Sequence, residues 1–288
     1  MIRYKNFFQL IVCCFTALYV GGVQADTPHI AVSIHPLQLL AADLLDENVV
    51  IEQIMNTSDD PHHHNLTVSQ LKKLDKADVI FWMGPELEVS LSKVLQGKAR
   101  ALALLPILVE TELSKNSLTN GYFDEDLHLW MDPQYGLAIA IQITNELTRQ
   151  WPQQSSVWQE RLESFQQRTE ITDNTISEYL LTSSATSFIA SHNAFSHFAG
   201  RYGLTALGSL HDHAGVKVGP RTLTELLNQQ HVDCVIAEPE YRDDARKMAA
   251  RLGVTVIEID PLGRNQAAAS NAYQQFLLNV AEGFKACK

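Results

Sequence analysis

Histidines that could bind a metal follow the short apolar runs of this 288-residue sequence. The candidates, together with one aspartate, are His35, His62, His63, His64, His128, His192 and Asp260. In parallel sheets, the loops that follow the carboxyl ends of the strands carry the ligand-binding groups. Neutral imidazole with one carboxylate is a ligand set suited to Zn²⁺. Imidazole also binds Cu, Ni and Fe, so the ligand type alone leaves the metal open.

Each candidate also has an ordinary structural interpretation. The run His62 to His64 can be an exposed loop, and His128 between apolar neighbours can be a buried histidine with a hydrogen-bond partner. Asp260 precedes Pro261 and can start a turn. The position of these residues after predicted strands, in both halves of the chain, favours metal binding.

Apolar and β-branched runs alternate with helical patterns in both halves, as in parallel sheets with crossover helices. The predicted strands of the first half are His29 to Ile34, Val49 to Met55, Val79 to Met83 and Ala101 to Ile107. Those of the second half are Ser187 to Ala190, Ala206 to Leu210, Asp233 to Ala237 and Thr255 to Ile259. The helices predicted in the first half are Pro36 to Leu45, Val68 to Lys76 and Leu87 to Leu95. The sequence therefore predicts an α/β fold of two similar lobes.

A long helix is predicted between the lobes. Asp132 and Pro133 start a helix that runs to about Arg149, and Ser156 with Gln159 forms a capping box for a second one. No Gly or Pro interrupts the stretch from residue 153 to 181. We therefore expect an N-terminal lobe at 26–150, a rigid connecting helix at 151–183 and a C-terminal lobe at 184–288.

The first 25 residues have the pattern of a secretory signal. Arg3 and Lys5 precede an apolar run that ends before the small residue Ala25, where we predict cleavage. The formal net charge of −11 excludes nucleic acid as a natural partner and attracts cations. After cleavage two cysteines remain, Cys234 and Cys287, and an even pair in an exported chain predicts one disulfide.

Several motifs resemble the zinc-type solute-binding proteins of bacterial ABC importers, the ZnuA-like members of the cluster A-I metal-binding family. The matching segments, in family order, are Asp60-Pro61-His62, Trp82-Met83-Gly84-Pro85-Glu86, His128-Leu129-Trp130, Ser191-His192-Asn193, Ala237-Glu238-Pro239-Glu240 and Asp260-Pro261-Leu262-Gly263. The resemblance implies a periplasmic receptor that binds Zn²⁺ between two lobes and delivers it to an ABC permease. We expect this receptor to be a monomer.

The resemblance also implies a ligand set. His62, His128 and His192 match the three imidazole ligands of the family, and Asp260 matches its carboxylate. The positions of Cys234 and Cys287 match the disulfide of zinc-type members. Manganese-type relatives tend to carry a carboxylate where this chain has His192, so the third imidazole favours zinc.

Further candidate residues lie outside this ligand set. His35 and Glu238 are possible partners of the ligands or alternative ligands. His211 and His213 could hold a second, weak metal, or they form an exposed loop. The acidic segment 110–126 contains no histidine, whereas many zinc-type members have a histidine-rich insertion there.

Other functions remain open at this stage. A secreted zinc-dependent hydrolase would use Glu238 as its general base, but the chain contains no H-E-x-x-H motif and no G-x-S-x-G motif. A related Mn or Fe receptor and a surface adhesin are further alternatives.

Overall fold

The computed structural model describes residues 27–110, 126–181, 186–212, 214–229 and 231–287. The predicted signal segment 1–25, nearly all of the acidic segment 110–126 and His213 lie outside these residues. In the part of the chain that is described, no helix is both long enough and apolar enough to cross a membrane.

Two four-stranded parallel sheets form the centres of two lobes. The first contains β1 (His29–Val32), β2 (Val50–Gln53), β3 (Val79–Trp82) and β4 (Ala101–Ala103), in the order β2-β1-β3-β4. The second contains β5 (Ser187–Ala190), β6 (Thr205–Ser209), β7 (Cys234–Ala237) and β8 (Thr255–Glu258), in the order β6-β5-β7-β8. The two sheets have the same topology, which confirms the predicted α/β fold of two similar lobes.

Helices connect the strands and cover the sheets. In the N-terminal lobe they are α1 (His35–Leu44), α2 (Val68–Lys76), α3 (Val89–Leu95), α4 (Leu104–Glu110) and α5 (Pro133–Gln150). In the C-terminal lobe they are α7 (Ser196–Tyr202), α8 (Pro220–Leu227), α9 (Arg242–Leu252) and α10 (Ala272–Lys285). The predicted capping box before α2 is present, since the Thr67 side chain accepts from the backbone N–H of Gln70 and the Gln70 side chain reaches back to Thr67.

One predicted strand was wrong in its second half. The apolar run after Arg100 predicts a strand to Ile107, but β4 ends at Ala103 and helix α4 begins at Leu104. Pro106 has no backbone N–H to donate to a neighbouring strand, so the ladder cannot continue through it. A short apolar run does not by itself distinguish a strand from a buried helix.

The predicted connecting helix is present as α6 (Ser155–Leu181), a helix of 27 residues. Its length is therefore about 40 Å. The residues that it buries lie on one face at helical spacing, namely Trp158, Phe165, Thr169, Thr172, Ile176 and Leu180. A short 3₁₀ turn at Pro152–Gln154 precedes the helix, so Ser156 lies inside it and not at its cap. The domain boundaries 26–150, 151–183 and 184–288 stay a prediction.

The hydrophobic core extends from one lobe into the other. A single cluster of buried side chains contains Val32 and Phe81 of the first sheet, Phe165 of α6 and Phe188 of the second sheet. Cys234 in β7 and Cys287 after α10 are bonded, which confirms the predicted disulfide and ties the C-terminal helix to the second sheet.

A fully buried carboxyl group begins helix α3. The Oε2 atom of Glu88 accepts the backbone N–H of Met83 at 2.7 Å and that of Gly84 at 3.3 Å. Gly84 has a φ of +141°, a conformation that side chains other than glycine rarely adopt. Burial raises the pKa of Glu88 to about 7, although the hydrogen bonds from Ser33, Gly84 and Met83 lower it in part.

Glu88 should make the stability of the protein depend on pH. Its folded-state pKa lies above its unfolded value, so its contribution is complete below pH 4.5 and is lost as the pH rises to about 7. We expect the free energy of unfolding of the unchanged protein, relative to that of Glu88→Gln, to fall by about 3 kcal/mol across this window. Urea denaturation at several pH values measures it. The exposed Glu86→Gln is the matched control, and the same pH slope in both variants would contradict the prediction.

Candidate metal centre

Three separate loops bring three histidines together between the lobes. His62 lies in the loop after β2, where Asp60 Oδ1 accepts its backbone N–H at 2.9 Å. His128 directly precedes the 3₁₀ turn Leu129–Met131 that leads into α5. His192 follows β5 in the second lobe. The histidines therefore come from both lobes, as the position of ligands after parallel strands predicts.

The three imidazole rings face one another closely. Their centroids are 5.5 Å apart for His62 and His128, 5.3 Å for His62 and His192, and 5.0 Å for His128 and His192. One nitrogen of each ring lies within 4.8 Å of the other two. Among the described residues, this is the group of His, Cys, Asp and Glu side chains placed to hold a metal ion. A small contraction would bring the nitrogens to the roughly 3.4 Å separation that tetrahedral Zn–N bonds near 2.0–2.1 Å require.

A buried carboxylate orients His128. Asp126 Oδ1 accepts from His128 Nδ1 at 2.8 Å and from the backbone N–H of the same residue at 2.9 Å. Burial opposes the ionisation of Asp126, but the hydrogen bonds from His128 and the charges of His128 and His197 outweigh it and hold the pKa well below its usual range. A carboxylate at Nδ1 fixes the ring and leaves Nε2 as the nitrogen for a metal.

A second carboxylate orients the ring of His192. Glu238 Oε1 accepts from His192 Nδ1 at 3.1 Å, and both side chains are buried. The backbone N–H of Glu238 donates to Ser191 Oγ at 2.9 Å, which places the carboxylate beside the strand that carries His192. This position fits the predicted role of Glu238 as a partner of a ligand.

Asp260 does not join the three histidines in this arrangement. Its Oδ1 accepts from Arg264 Nη1 at 2.7 Å and from the backbone N–H of Leu262 at 3.0 Å. Its Oδ2 accepts the backbone N–H of Arg264 at 2.7 Å. Asp260 thus closes the turn that its position before Pro261 predicts, and its place among the metal ligands stays a prediction.

His35 lies at the contact between the lobes and not in the histidine cluster. Its Nδ1 lies 2.8 Å from Gln53 Oε1 and 3.2 Å from Gln38 Oε1, and its Nε2 lies 2.9 Å from the backbone oxygen of Gln266. Both ring nitrogens are therefore in hydrogen bonds with the protein, and Gln266 belongs to the other lobe. His35 begins helix α1 rather than ending a strand.

His211 is buried and bound to the second lobe. Its Nδ1 lies 2.8 Å from the backbone oxygen of Ser191, and its ring stacks on Tyr241 at a centroid distance of 4.2 Å. His213 lies outside the described residues, so the weak second metal site that includes it stays a prediction.

Carboxylates and one arginine line the cavity of the histidines. Besides the three rings, the lining includes Asp60, Glu238, Glu240, Tyr241 and Arg264. Burial, together with the charges of Glu238 and Asp260, raises the pKa of Glu240, while Arg264 opposes the shift. These negative charges create a local field that attracts a cation.

Sequence reasoning missed the two aspartates that shape the histidine loops. Asp60 and Asp126 each precede one of the clustered histidines by two residues, and each accepts the backbone N–H of that histidine. The Asp-x-His spacing was the signal, because a carboxylate commonly accepts the N–H two residues further along the chain.

The comparisons with known proteins agree with this geometry. The high-affinity zinc uptake system protein ZnuA of Haemophilus ducreyi is 25% identical, over 94% of this chain and 97% of the relative. A crystal structure of ZnuA superimposes with a TM-score of 0.75 at 21% identity and covers 91% of this chain and 99% of its own. The periplasmic zinc-binding protein TroA from Treponema pallidum gives a TM-score of 0.76 at 17% identity, over 91% and 99%. These structures have the same two-lobe fold.

A family model extends the likeness along nearly the whole chain. The model described as zinc-uptake complex component A, periplasmic, matches residues 30–287. The matched range contains both sheets, the connecting helix and all three clustered histidines. The chain belongs to this family of zinc-uptake components.

Proposed function

We propose that this protein is a periplasmic receptor that binds Zn²⁺ between its two lobes and delivers it to an ABC-type membrane permease. The observation that carries the proposal is the convergence of His62, His128 and His192, with a carboxylate behind two of the rings. Membership in the zinc-uptake family supports the same conclusion. In this proposal the protein is a monomer, and zinc is its cargo.

The ligand chemistry favours zinc over harder cations. Three neutral imidazoles suit Zn²⁺, whereas Mn²⁺ prefers more oxygen ligands. We propose that His62, His128 and His192 bind the ion directly, and that Asp126 and Glu238 hold the rings of His128 and His192 in place. Asp260 is the candidate for a fourth ligand.

Binding rather than hydrolysis accounts for the site. The family is one of uptake components, so the chain is not an enzyme. Glu238, the general base of the hydrolase hypothesis, is hydrogen-bonded through Oε1 to His192 Nδ1, so the ring already engages this oxygen. The same geometry makes it a ligand-orienting group.

Removing one clustered imidazole should remove bound zinc. We expect about one zinc per chain in the unchanged, untagged protein after dialysis, and well below one in His62→Ala, His128→Ala and His192→Ala. Metal analysis by mass spectrometry measures it. His63→Ala is the matched control, because His63 is exposed in the same loop as His62. Full occupancy in all three cluster variants would refute the proposal.

The carboxylate behind His128 should tune the affinity for zinc. Asp126→Asn keeps the shape of the side chain but removes its charge, so His128 loses part of its orientation and basicity. We expect the affinity for Zn²⁺ to fall on the order of 10- to 100-fold, in a competition titration with a chelating dye. Asp243→Asn changes an exposed carboxylate and serves as the control. An unchanged affinity in Asp126→Asn would show that the carboxylate does not support the ligand.

Export should remove the N-terminal segment. We propose cleavage after Ala25, so the mature chain begins at Asp26 and retains all clustered histidines. Intact-mass measurement of the protein recovered from the periplasm of an expressing bacterium checks it. A mature form that still contains Cys13 and Cys14 would contradict the cleavage site.

A further inference from the structure

Arg264 is the one arginine or lysine among the described residues that line the histidine cavity, and every nitrogen of its guanidinium has a partner. Its Nη1 donates to Asp260 Oδ1 at 2.7 Å, and its Nη2 pairs with Glu240 Oε1. Its Nε donates to the backbone oxygen of Thr57 at 2.6 Å, and Thr57 belongs to the N-terminal lobe. The guanidinium is therefore held in one position, between two carboxylates and the opposite lobe.

The pairing occupies the carboxylate that is the candidate for the fourth ligand. Asp260 Oδ1 has two donors, Arg264 Nη1 and the backbone N–H of Leu262, and Oδ2 accepts the backbone N–H of Arg264. A metal that uses Asp260 must replace at least part of the pairing with the guanidinium. A charge-assisted hydrogen bond between two side chains that are each about 15% exposed is costly to replace.

The positive charge of Arg264 also opposes the binding of a metal. The guanidinium lines the cavity into which a divalent cation would enter, and water screens it little because the side chain is only 14% exposed. Two positive charges within such a small cavity repel each other. Arg264 also neutralises Glu240, a second carboxylate that would otherwise attract the ion.

We propose that Arg264 is a positioning residue that competes with Zn²⁺ for Asp260 and thereby weakens the binding of the metal. The inference rests on the proposed function of the histidine cluster. It deepens that function, because a receptor must release its cargo as well as capture it. The guanidinium of Arg264 stays beside the site and can pair with Asp260 again. It therefore favours the release of Zn²⁺ without any change in the histidine ligands.

The test compares the zinc affinities of single and double variants of the mature protein by competition with a chelating dye. We expect Arg264→Gln to bind Zn²⁺ roughly tenfold more tightly or better, because the competing charge is gone. Arg264→Lys restores the charge and should return the affinity toward that of the unchanged protein. In the Asp260→Asn background, Arg264→Gln should have a much smaller effect, because the competition for the carboxylate is absent and only the repulsion between the guanidinium and the ion remains. An arginine with a purely structural role would not produce this dependence on Asp260.

Matched controls separate the local effect from a general change in charge. Arg221→Gln removes an exposed arginine that also pairs with a carboxylate four residues away, Glu225, and should leave the affinity unchanged. Thermal unfolding shows whether each variant folds, and Arg264→Met replaces Arg264→Gln if the latter does not.

The outcomes distinguish the inference from the proposed function. If the unchanged protein binds no zinc, the proposed function fails and the inference fails with it. If the unchanged protein binds zinc but Arg264→Gln binds it equally or more weakly, only the inference is overturned. A tighter Arg264→Gln whose full gain persists in the Asp260→Asn background also overturns it.

Discussion

The buried carboxylate of Asp126 is the interaction on which the geometry of the histidine cluster depends. Its Oδ1 orients His128, and its Oδ2 accepts the backbone N–H of Ser196 at 2.8 Å. Ser196 begins helix α7, four residues after His192, so a single carboxylate contacts both His128 and the segment that follows His192. A buried charge is costly unless donors surround it, and here His128, Ser196 and His197 supply them or their charge. The group therefore holds two histidine-bearing segments in one arrangement.

Partly buried ion pairs connect the long helix to both lobes and so help to hold the clustered histidines at one separation. Asp43 of α1 accepts from Arg168 of α6 at 2.7 Å and from the backbone N–H of Asn271 at 2.9 Å, so it connects the first lobe, the connecting helix and the start of α10. Arg201 of α7 forms a two-pronged pair with Asp173 of α6. Because the connecting helix is bound to both lobes and the core is continuous, only small movements between the lobes are compatible with this structure.

Helices and strands were predicted well where a capping box or a compact apolar run marked their ends. The contacts of a side chain were predicted less well where several partners compete for it. The bounds of α2 and of β5 were correct, because a capping box and a compact apolar run define them. The positions of His62 and His192 after parallel strands predicted candidate metal ligands in both lobes, and the family resemblance selected these two with His128 from the larger set of histidines. The orientation of Asp260 could not be predicted, because it depends on a guanidinium four residues later that also contacts the other lobe. The Asp-x-His spacing indicates the contact of Asp126 with His128, but its second contact, with the start of α7, comes from packing that no local pattern reveals.

Charge explains why the cavity of the histidines favours a cation although it contains a guanidinium. The carboxylates of Asp60, Glu238 and Glu240 line it, and they outnumber the single arginine among the described lining residues. Asp260 is paired with Arg264, so a metal that recruited this carboxylate would have to displace the guanidinium. In the proposed receptor, this pair would set how strongly the ion is held. The acidic character of the chain acts here through individual carboxylates. The partner of each carboxylate determines whether that group can bind a cation.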